Sequence, residues 1–288
     1  MKRKCLIFFK SPEFPCIFTM MEKQAILCYL DFTEVTDNLS RWVSYIYQFY
    51  ERPVDLLFVR DHNTALVMGK DDNDAAIEKA MDDFRNNSGA TKGKNHIREG
   101  CNCSLISQLA EETDALFTLI PVHKRRDVQF LSSTVLLKML RKSRIPALVI
   151  PETNRFETPQ KISMAVNYRK EQKAVTPWLV HLSKILQLNV DIYLPQSKEE
   201  SILRNYVFTK NFCKKHNISF NKIQANVKPM AIDKFAIRNT HIHCLHLSRQ
   251  PGFIDRIFGD RDSYMLTGKQ GTPVFCVNPG EDLYVPCT

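Results

Sequence analysis

Four side chains that could bind a metal lie close together near the C-terminal end of the sequence. They are His241, His243, Cys244 and His246. The segment has the composition of a strand, in which alternate side chains point to opposite faces. His241 and His243 would then share one face, and the other two residues the opposite face. Four ligands cannot converge from that arrangement, and the spacing is not that of a zinc site. We therefore expect no metal site here, and histidines that are satisfied by hydrogen bonds.

Short basic clusters are the second candidate for chemistry, because they would suit an anionic partner. They are Lys124-Arg125-Arg126, Arg141-Lys142 with Arg144, and Lys214-Lys215, in a chain of net charge +9. Aromatic residues do not alternate with them, as a surface that stacks nucleic acid bases would require. We interpret the clusters as solvated basic surface and expect no nucleic acid partner.

The sequence has none of the common catalytic motifs. It contains no Gly-x-Ser-x-Gly, no phosphate-binding P-loop and no paired-carboxylate motif. We expect a protein that is not an enzyme.

An internal duplication sets the organisation of the chain. Trp42 and Trp178 are the only tryptophans and lie 136 residues apart. The same offset relates Gln24, Ile26 and Asp31 to Gln160, Ile162 and Asn167, and Val54-Asp55 to Val190-Asp191. A period of this length indicates two domains rather than a solenoid. Both tryptophans fall on the apolar face of a predicted helix, where we expect them to be core residues.

Strands alternate with helices through both halves, and several strands are apolar on both faces, which is typical of a parallel sheet covered by helices. In the first half, strands are predicted at 24–31, 53–60, 96–99, 115–122 and 145–150, and helices at 39–50, 74–86, 104–113 and 131–142. Asp37 or Asn38 is the expected cap of the first helix. In the second half, strands are predicted at 161–166, 190–194, 218–224, 241–247 and 274–277, and helices at 175–186, 199–216 and 260–266.

The sequence predicts an α/β protein with the following parts. Residues 1–21 form a disordered extension or an incorrectly assigned start, 22–151 the first domain, 152–159 a linker, 160–280 the second domain and 281–288 a tail. The apolar run at the N-terminus is too short for a secretory signal, and no other run is long enough to span a membrane. The nine cysteines show no framework pattern. We therefore expect a cytoplasmic protein.

The order of these elements, with a first strand that ends in Asp31 and a last strand with the sequence IPALVIPE, resembles the universal stress protein family in its tandem form. The resemblance covers about residues 24–151 and 160–278. It implies two Rossmann-like domains, each a five-stranded parallel sheet of order 3-2-1-4-5 flanked by helices. It also implies pairing of such domains, which a tandem chain can form internally.

Many members of that family bind ATP, and the resemblance implies where a nucleotide would lie. Asp31, Phe32 and Val59 would hold the adenosine. The family's glycine loop would place its glycines at Ile120, His123 and Ser133, so all three are missing, although the hydroxyl of Thr134 remains. In the second repeat Asn167 replaces the acid.

The basic residues from His123 to Arg126, Arg125 among them, could replace the lost loop and bind phosphate through side-chain charge. We therefore expect a non-enzymatic stress-response protein, a ligand-sensing or partner-binding module with a degenerate site for ATP or another adenine nucleotide. Its partner would be another protein or a second copy. The alternative is a nucleotide-binding protein with slow ATPase activity, in which Asp31 and Thr134 act together.

Overall fold

The computed structural model describes residues 24–33, 36–60, 73–123, 133–167, 174–247 and 271–278. The first repeat alternates strands and helices as its hydrophobic pattern predicts. Its elements are β1 (Ile26–Leu30), α1 (Thr36–Tyr50), β2 (Val54–Arg60), α2 (Asp74–Ser88), β3 (Asn95–Glu99), α3 (Asn102–Glu112), β4 (Thr118–Val122), α4 (Ser133–Lys142) and β5 (Ala147–Pro151). The predicted bounds differ from these by only a few residues, because strand and helix ends carry the weakest periodic signal.

The second repeat follows the same order. Its elements are β6 (Lys161–Ala165), α5 (Val175–Ile185), β7 (Asn189–Pro195), α6 (Glu200–Lys215), β8 (Phe220–Ala225), α7 (Ile232–Ala236), β9 (Ile242–His246) and β10 (Val274–Val277). The short helix α7 was not predicted, because five residues are too few for a helical repeat to be recognised. The predicted helix at 260–266 lies outside the described residues, as do the predicted extension 1–21 and tail 281–288.

The ten strands of the described residues form one continuous sheet of order β3-β2-β1-β4-β5-β10-β9-β6-β7-β8. Each repeat has the predicted order 3-2-1-4-5, and its own strands are parallel. The repeats join where β5 pairs antiparallel with β10, with Phe275 opposite Leu148. The two expected sheets are therefore halves of a single sheet, in which the dimer-like pairing implied for a tandem chain occurs within one polypeptide.

One hydrophobic core runs under both repeats on the face covered by α1 and α5. Trp42 and Trp178 are buried in it, as predicted for both. The centroid of the Phe275 ring on β10 lies 5.2 Å from the ring centroid of Trp178 and 5.8 Å from that of Phe117 in the first repeat. Aromatic side chains thus pack across the join, and burial of their apolar surface stabilises the contact between the repeats.

The duplicated Val-Asp pair has a structural role in both repeats. Asp55 on β2 is buried, and its carboxylate accepts a hydrogen bond from the backbone N–H of Lys94, just before the edge strand β3 (2.8 Å). Asp191 on β7 is buried likewise and accepts one from the side chain of Asn221 on the other edge strand, β8 (2.9 Å). Each carboxylate therefore fastens an outer strand to its neighbour.

The segment between β5 and β6, predicted as a linker, is held by hydrogen bonds to both repeats. The Asn154 side chain accepts from the indole N–H of Trp42 (2.8 Å) and donates to the carbonyl oxygen of Gly271 (2.6 Å). Asn38 accepts from the backbone N–H of Phe156 (2.7 Å). The prediction that Asp37 or Asn38 caps α1 is wrong, because the helix begins at Thr36 and both residues lie in its first turn.

Within the described residues, no helix is both long and apolar enough to cross a membrane.

Candidate functional site

The strand order creates one crevice in the first repeat where a ligand is expected. β1 and β4 are neighbours, but the chain leaves β1 toward β2 on one side and β4 toward β5 on the other. In open α/β sheets, ligands bind at the carboxyl ends of the strands where the connections diverge in this way. Asp31 directly follows β1, and His123 directly follows β4. Both predicted site residues therefore lie at this position.

The structure joins Asp31 and His123 directly. Asp31 Oδ2 lies 2.5 Å from His123 Nε2. The other carboxylate oxygen, Oδ1, accepts from the backbone N–H (3.2 Å) and the hydroxyl (2.8 Å) of Thr33. The Asp31 side chain is 2% exposed and that of His123 is 9% exposed. Both oxygens of the acid that would orient a ligand are thus already bonded within the chain.

Glu152 lies on the other side of the imidazole ring. Its Oε2 is 3.6 Å from His123 Nδ1, and its backbone N–H donates to the carbonyl oxygen of Val122 at the end of β4 (2.8 Å). Burial disfavours the imidazolium, but the hydrogen bond to Asp31 and the negative charges of Asp31 and Glu152 outweigh it. The pKa of His123 is therefore raised above its ordinary value. The histidine links the crevice to the first residue of the segment that leads to the second repeat.

Phe32, a predicted site residue, adopts an unusual backbone conformation. Its φ is +50°, in the left-handed region that a bulky aromatic residue seldom occupies. The centroid of its ring lies 5.3 Å from that of Phe58, which lies on β2. This contact holds the turn that positions Asp31 and Thr33. Strained backbone of this kind is frequent at functional sites.

Val59 lies one strand away from Asp31 but faces the interior. It is fully buried in the core between the sheet and α3 and α4. β2 ends at Arg60, one residue after Val59. The Arg60 guanidinium bonds to Asp74 at the start of α2 (2.5 Å) and to Glu99 on β3 (2.8 Å). An ion-paired arginine therefore lies at the carboxyl end of β2, next to the strand that Asp31 follows.

Three predicted site residues remain, namely Arg125, Ser133 and Thr134. Arg125 lies outside the described residues, together with its basic neighbours. Ser133 and Thr134 form the start of α4. Their proposed contacts with phosphate stay predictions.

Thr33, Glu152 and Arg60 were not selected from the sequence. Glu152 follows β5 directly, and the order β4–β5 places it beside His123. The position of Glu152 beside His123 could be inferred only after β4 and β5 were known to be neighbours in the sheet.

The corresponding crevice of the second repeat is built differently. Asn167 is buried where the first repeat has Asp31, and its backbone carbonyl oxygen accepts from the Asn205 side chain (2.8 Å). An amide side chain carries no charge, so it cannot form an ion pair with a histidine as Asp31 does. The second repeat therefore does not reproduce the Asp31–His123 pair.

A row of Ser, His and Asp side chains crosses the middle of the second repeat. Ser163 Oγ lies 2.9 Å from His243 Nδ1, and His243 Nε2 lies 3.5 Å from Asp233 Oδ1. A hydrolase would use such groups with a nucleophile open to substrate. Ser163 and His243 have no exposed surface and lie within neighbouring strands, so we interpret the row as a buried polar link between the sheet and α7.

The histidines near the C-terminal end behave as core and edge residues. His243 and His246 are buried, whereas His241 Nδ1 accepts from the backbone N–H of Gln160 (2.9 Å). In the part of the chain that the structure describes, no three His, Cys, Asp or Glu side chains are grouped to hold a metal ion.

Comparison with solved structures identifies the fold. The chain superimposes on a universal stress protein from Archaeoglobus fulgidus with a TM-score of 0.62 and 15% identity, over 90% of this chain and 97% of that one. A putative universal stress protein from Pseudomonas aeruginosa gives 0.60 and 14%, over 91% and 95%. The cytoplasmic domain of a prokaryotic cation chloride cotransporter gives 0.57 and 11%, over 91% and 98%.

By sequence, no model of a known protein family matches the chain, and a comparison with curated proteins gives no match. At these identities the structural matches define the fold, and the fold is the one that the resemblance implied.

Proposed function

We propose that this chain, which has the fold of the tandem universal stress proteins, is a non-enzymatic module of the stress response that senses a ligand or binds a partner. Its ATP site would be degenerate, its location cytoplasmic, and its partner another protein or a second copy. The observation that carries the proposal is the Asp31–His123 pair, at 2.5 Å, in the crevice where the fold binds ligands.

The Asp31–His123 pair would lower the affinity of the site for nucleotides. A ribose hydroxyl that bonds to Asp31 must first displace the His123 imidazole, which forms a charge-assisted hydrogen bond there. Such a bond contributes about 1.5–3 kcal/mol, so a nucleotide would lose roughly tenfold to a hundredfold in affinity. A ligand that makes stronger contacts could still enter.

The same pair provides a means of signalling. His123 contacts Glu152, which is bonded through its backbone to β4 and begins the segment that contacts both repeats. A ligand that displaces His123 from Asp31 would change the partner of Glu152 as well. Occupancy of the crevice would thereby alter the surface around residues 152–156, where a partner protein could detect it.

The test is nucleotide binding measured by native mass spectrometry and calorimetry on the wild type, His123→Ala and Asp31→Asn. We expect weak ATP binding by the wild type, binding at least about tenfold tighter by His123→Ala, and none by Asp31→Asn. His216→Ala, which removes a histidine at the end of α6, is the control and should match the wild type.

Tight binding of one ATP per chain by the wild type, weakened by His123→Ala, would contradict the proposal and make His123 a nucleotide ligand. Release of inorganic phosphate from ATP, abolished by Asp31→Asn, would establish the alternative of a slow ATPase.

A further inference from the structure

Two matched helices of the repeats differ on their outward faces. α2 and α6 each connect the second and third strands of their repeat and pack an apolar face on the sheet. Ile77, Met81 and Phe84 are buried on α2, and Ile202 and Cys213 on α6. The two helices occupy the same place in their repeats, so their outer faces can be compared directly.

The outward face of α2 is acidic. The helix carries four acidic residues (Asp74, Glu78, Asp82 and Asp83) and two basic ones (Lys79 and Arg85), a difference of −2. Glu78 and Asp82 are one turn apart and both exposed. A solvated helix surface normally has this composition.

α6 instead exposes large apolar side chains beside positive charge. Leu203 is 48% and Val207 51% exposed, and they are two of the three large hydrophobic residues that are exposed within the described chain. Lys210 and Lys214 continue the same line at the spacing i, i+4, i+7, i+11, which forms one stripe along a helix. We call Leu203, Val207, Lys210 and Lys214 the α6 stripe.

The electrostatics of α6 are opposite to those of α2. α6 contains four basic residues (Arg204, Lys210, Lys214 and Lys215) and one acidic residue (Glu200), a difference of +3. Glu200 lies 3.6 Å from Arg204, one turn away and beside the stripe, so the charge of Lys210 and Lys214 is left uncompensated on the helix. Lys222 of β8, the edge strand, lies over the Tyr206 ring at 5.2 Å and adds positive charge nearby.

We propose that the α6 stripe is a docking surface for an acidic amphipathic helix of a partner protein. The partner would cover Leu203 and Val207 with apolar side chains and place carboxylates against Lys210 and Lys214. This inference does not depend on the crevice at Asp31, which lies in the other repeat.

Two other occupants fit less well. A second copy that docked through its own α6 would bring equal positive charges together, and its α2 offers acidic residues but no large exposed apolar side chain. A membrane surface needs a wide apolar face, whereas the inner face of α6 is already packed on the sheet and Leu203 and Val207 are the only large apolar side chains of this helix that are exposed.

The test uses synthetic fluorescent peptides and the full chain. Each peptide is helical and carries two leucines and two glutamates at the spacing of the stripe. In one peptide the leucines come first in the sequence, and in the other the glutamates come first. Fluorescence anisotropy should show binding that weakens as salt increases. Leu203→Gln with Val207→Gln, and Lys210→Glu with Lys214→Glu, should each lower the affinity at least about tenfold. The second variant should instead bind the peptide in which lysine replaces glutamate.

The matched control is Glu78→Gln with Asp82→Asn on α2, which should leave peptide binding unchanged. The stripe variants should keep the urea midpoint of the wild type, because Leu203, Val207 and Lys214 are exposed and Lys210 is only partly buried. Equal binding of the glutamate and lysine peptides, or binding that the stripe variants do not alter, would overturn the proposal.

Two further results would replace the proposed occupant with another. Self-association in analytical ultracentrifugation that Leu203→Gln with Val207→Gln abolishes would assign the surface to a second copy. Binding to vesicles of anionic phospholipid with the same dependence on the stripe would assign it to a membrane.

Discussion

We expect acid to destabilise the protein, because a histidine is buried at the contact between the repeats. His181 on α5 is 7% exposed, and its ring lies 5.7 Å from Tyr50 of the first repeat and 5.6 Å from Trp178. Its Nε2 has no hydrogen-bond partner among the described residues. Burial, with the nearby positive charges of Arg52 and Lys184, lowers the pKa of His181 to about 4.

The direction of the effect follows from proton binding. Between pH 6.5 and about 4, the unfolded chain protonates this histidine and the folded chain does not. The neutral His181 imidazole therefore makes its full contribution to the free energy of unfolding above pH 6.5, and this contribution is lost as the pH falls toward 4. The difference in pKa corresponds to a loss of about 3 kcal/mol in the free energy of unfolding, a large part of the stability of a typical protein.

The assay is urea denaturation from pH 7.5 to 4.5 on the wild type and His181→Gln, which has a neutral side chain of similar size. The variant should be less stable at pH 7.5 and lose less stability on acidification, so the two curves converge. His216→Gln, at the C-terminal end of α6, controls for the loss of one titrating histidine and should keep most of the slope. Parallel curves for the wild type and His181→Gln would refute the reasoning.

Two other predictions concern the edge strands. Burial disfavours the ionised form of Asp55, but the His96 imidazole, whose Nε2 lies 3.7 Å from Asp55 Oδ2, and the hydrogen bond from the Lys94 amide outweigh it and lower its pKa. Asp55→Asn should lower the free energy of unfolding by about 1–3 kcal/mol at pH 7. In urea titrations, the difference between the wild type and the variant should shrink as the pH falls through the pKa of Asp55 in the folded protein. Gly93 has φ +133°, and an added Cβ would lie 2.0 Å from the carbonyl oxygen of Val54. Gly93→Ala should lower the free energy of unfolding by roughly 3 kcal/mol. Gly89 has φ +68° and open space around it, so Gly89→Ala should lower it by about 1 kcal/mol. Thermal denaturation would measure both losses, and equal losses would contradict the argument from close approach.

The order of elements could be predicted because each leaves a local pattern in the sequence. The helix that contains Trp42 and the strand that ends at Arg60, which is apolar apart from Asp55 and Arg60, are examples, since burial on a sheet dictates both patterns. The helix α7 could not be predicted, because it is too short to show a repeat. Asn38 looked like a helix cap, but its side chain instead binds the segment between the repeats, a contact 118 residues away in sequence.

The site could be predicted only in part. Asp31 closes an apolar run of the sequence, and the resemblance to the universal stress proteins assigned it to the adenosine. Its partner His123 lies 92 residues further on, and the two meet only because β1 and β4 are neighbours. The sequence suggested instead that His123 belongs to a basic loop for phosphate. The ion pairs of Arg60 likewise depend on where α2 and β3 begin and end, which no local pattern fixes.

The antiparallel pairing of β5 with β10 has a consequence for how the protein can evolve. In a symmetric pair of identical chains, every substitution appears twice, so a change that suits one site is imposed on the other. Here both halves of the pair are encoded in one polypeptide, and each half can change alone. The carboxylate of Asp31 against the amide of Asn167, and the acidic surface of α2 against the apolar and basic surface of α6, are differences that two identical subunits could not have acquired.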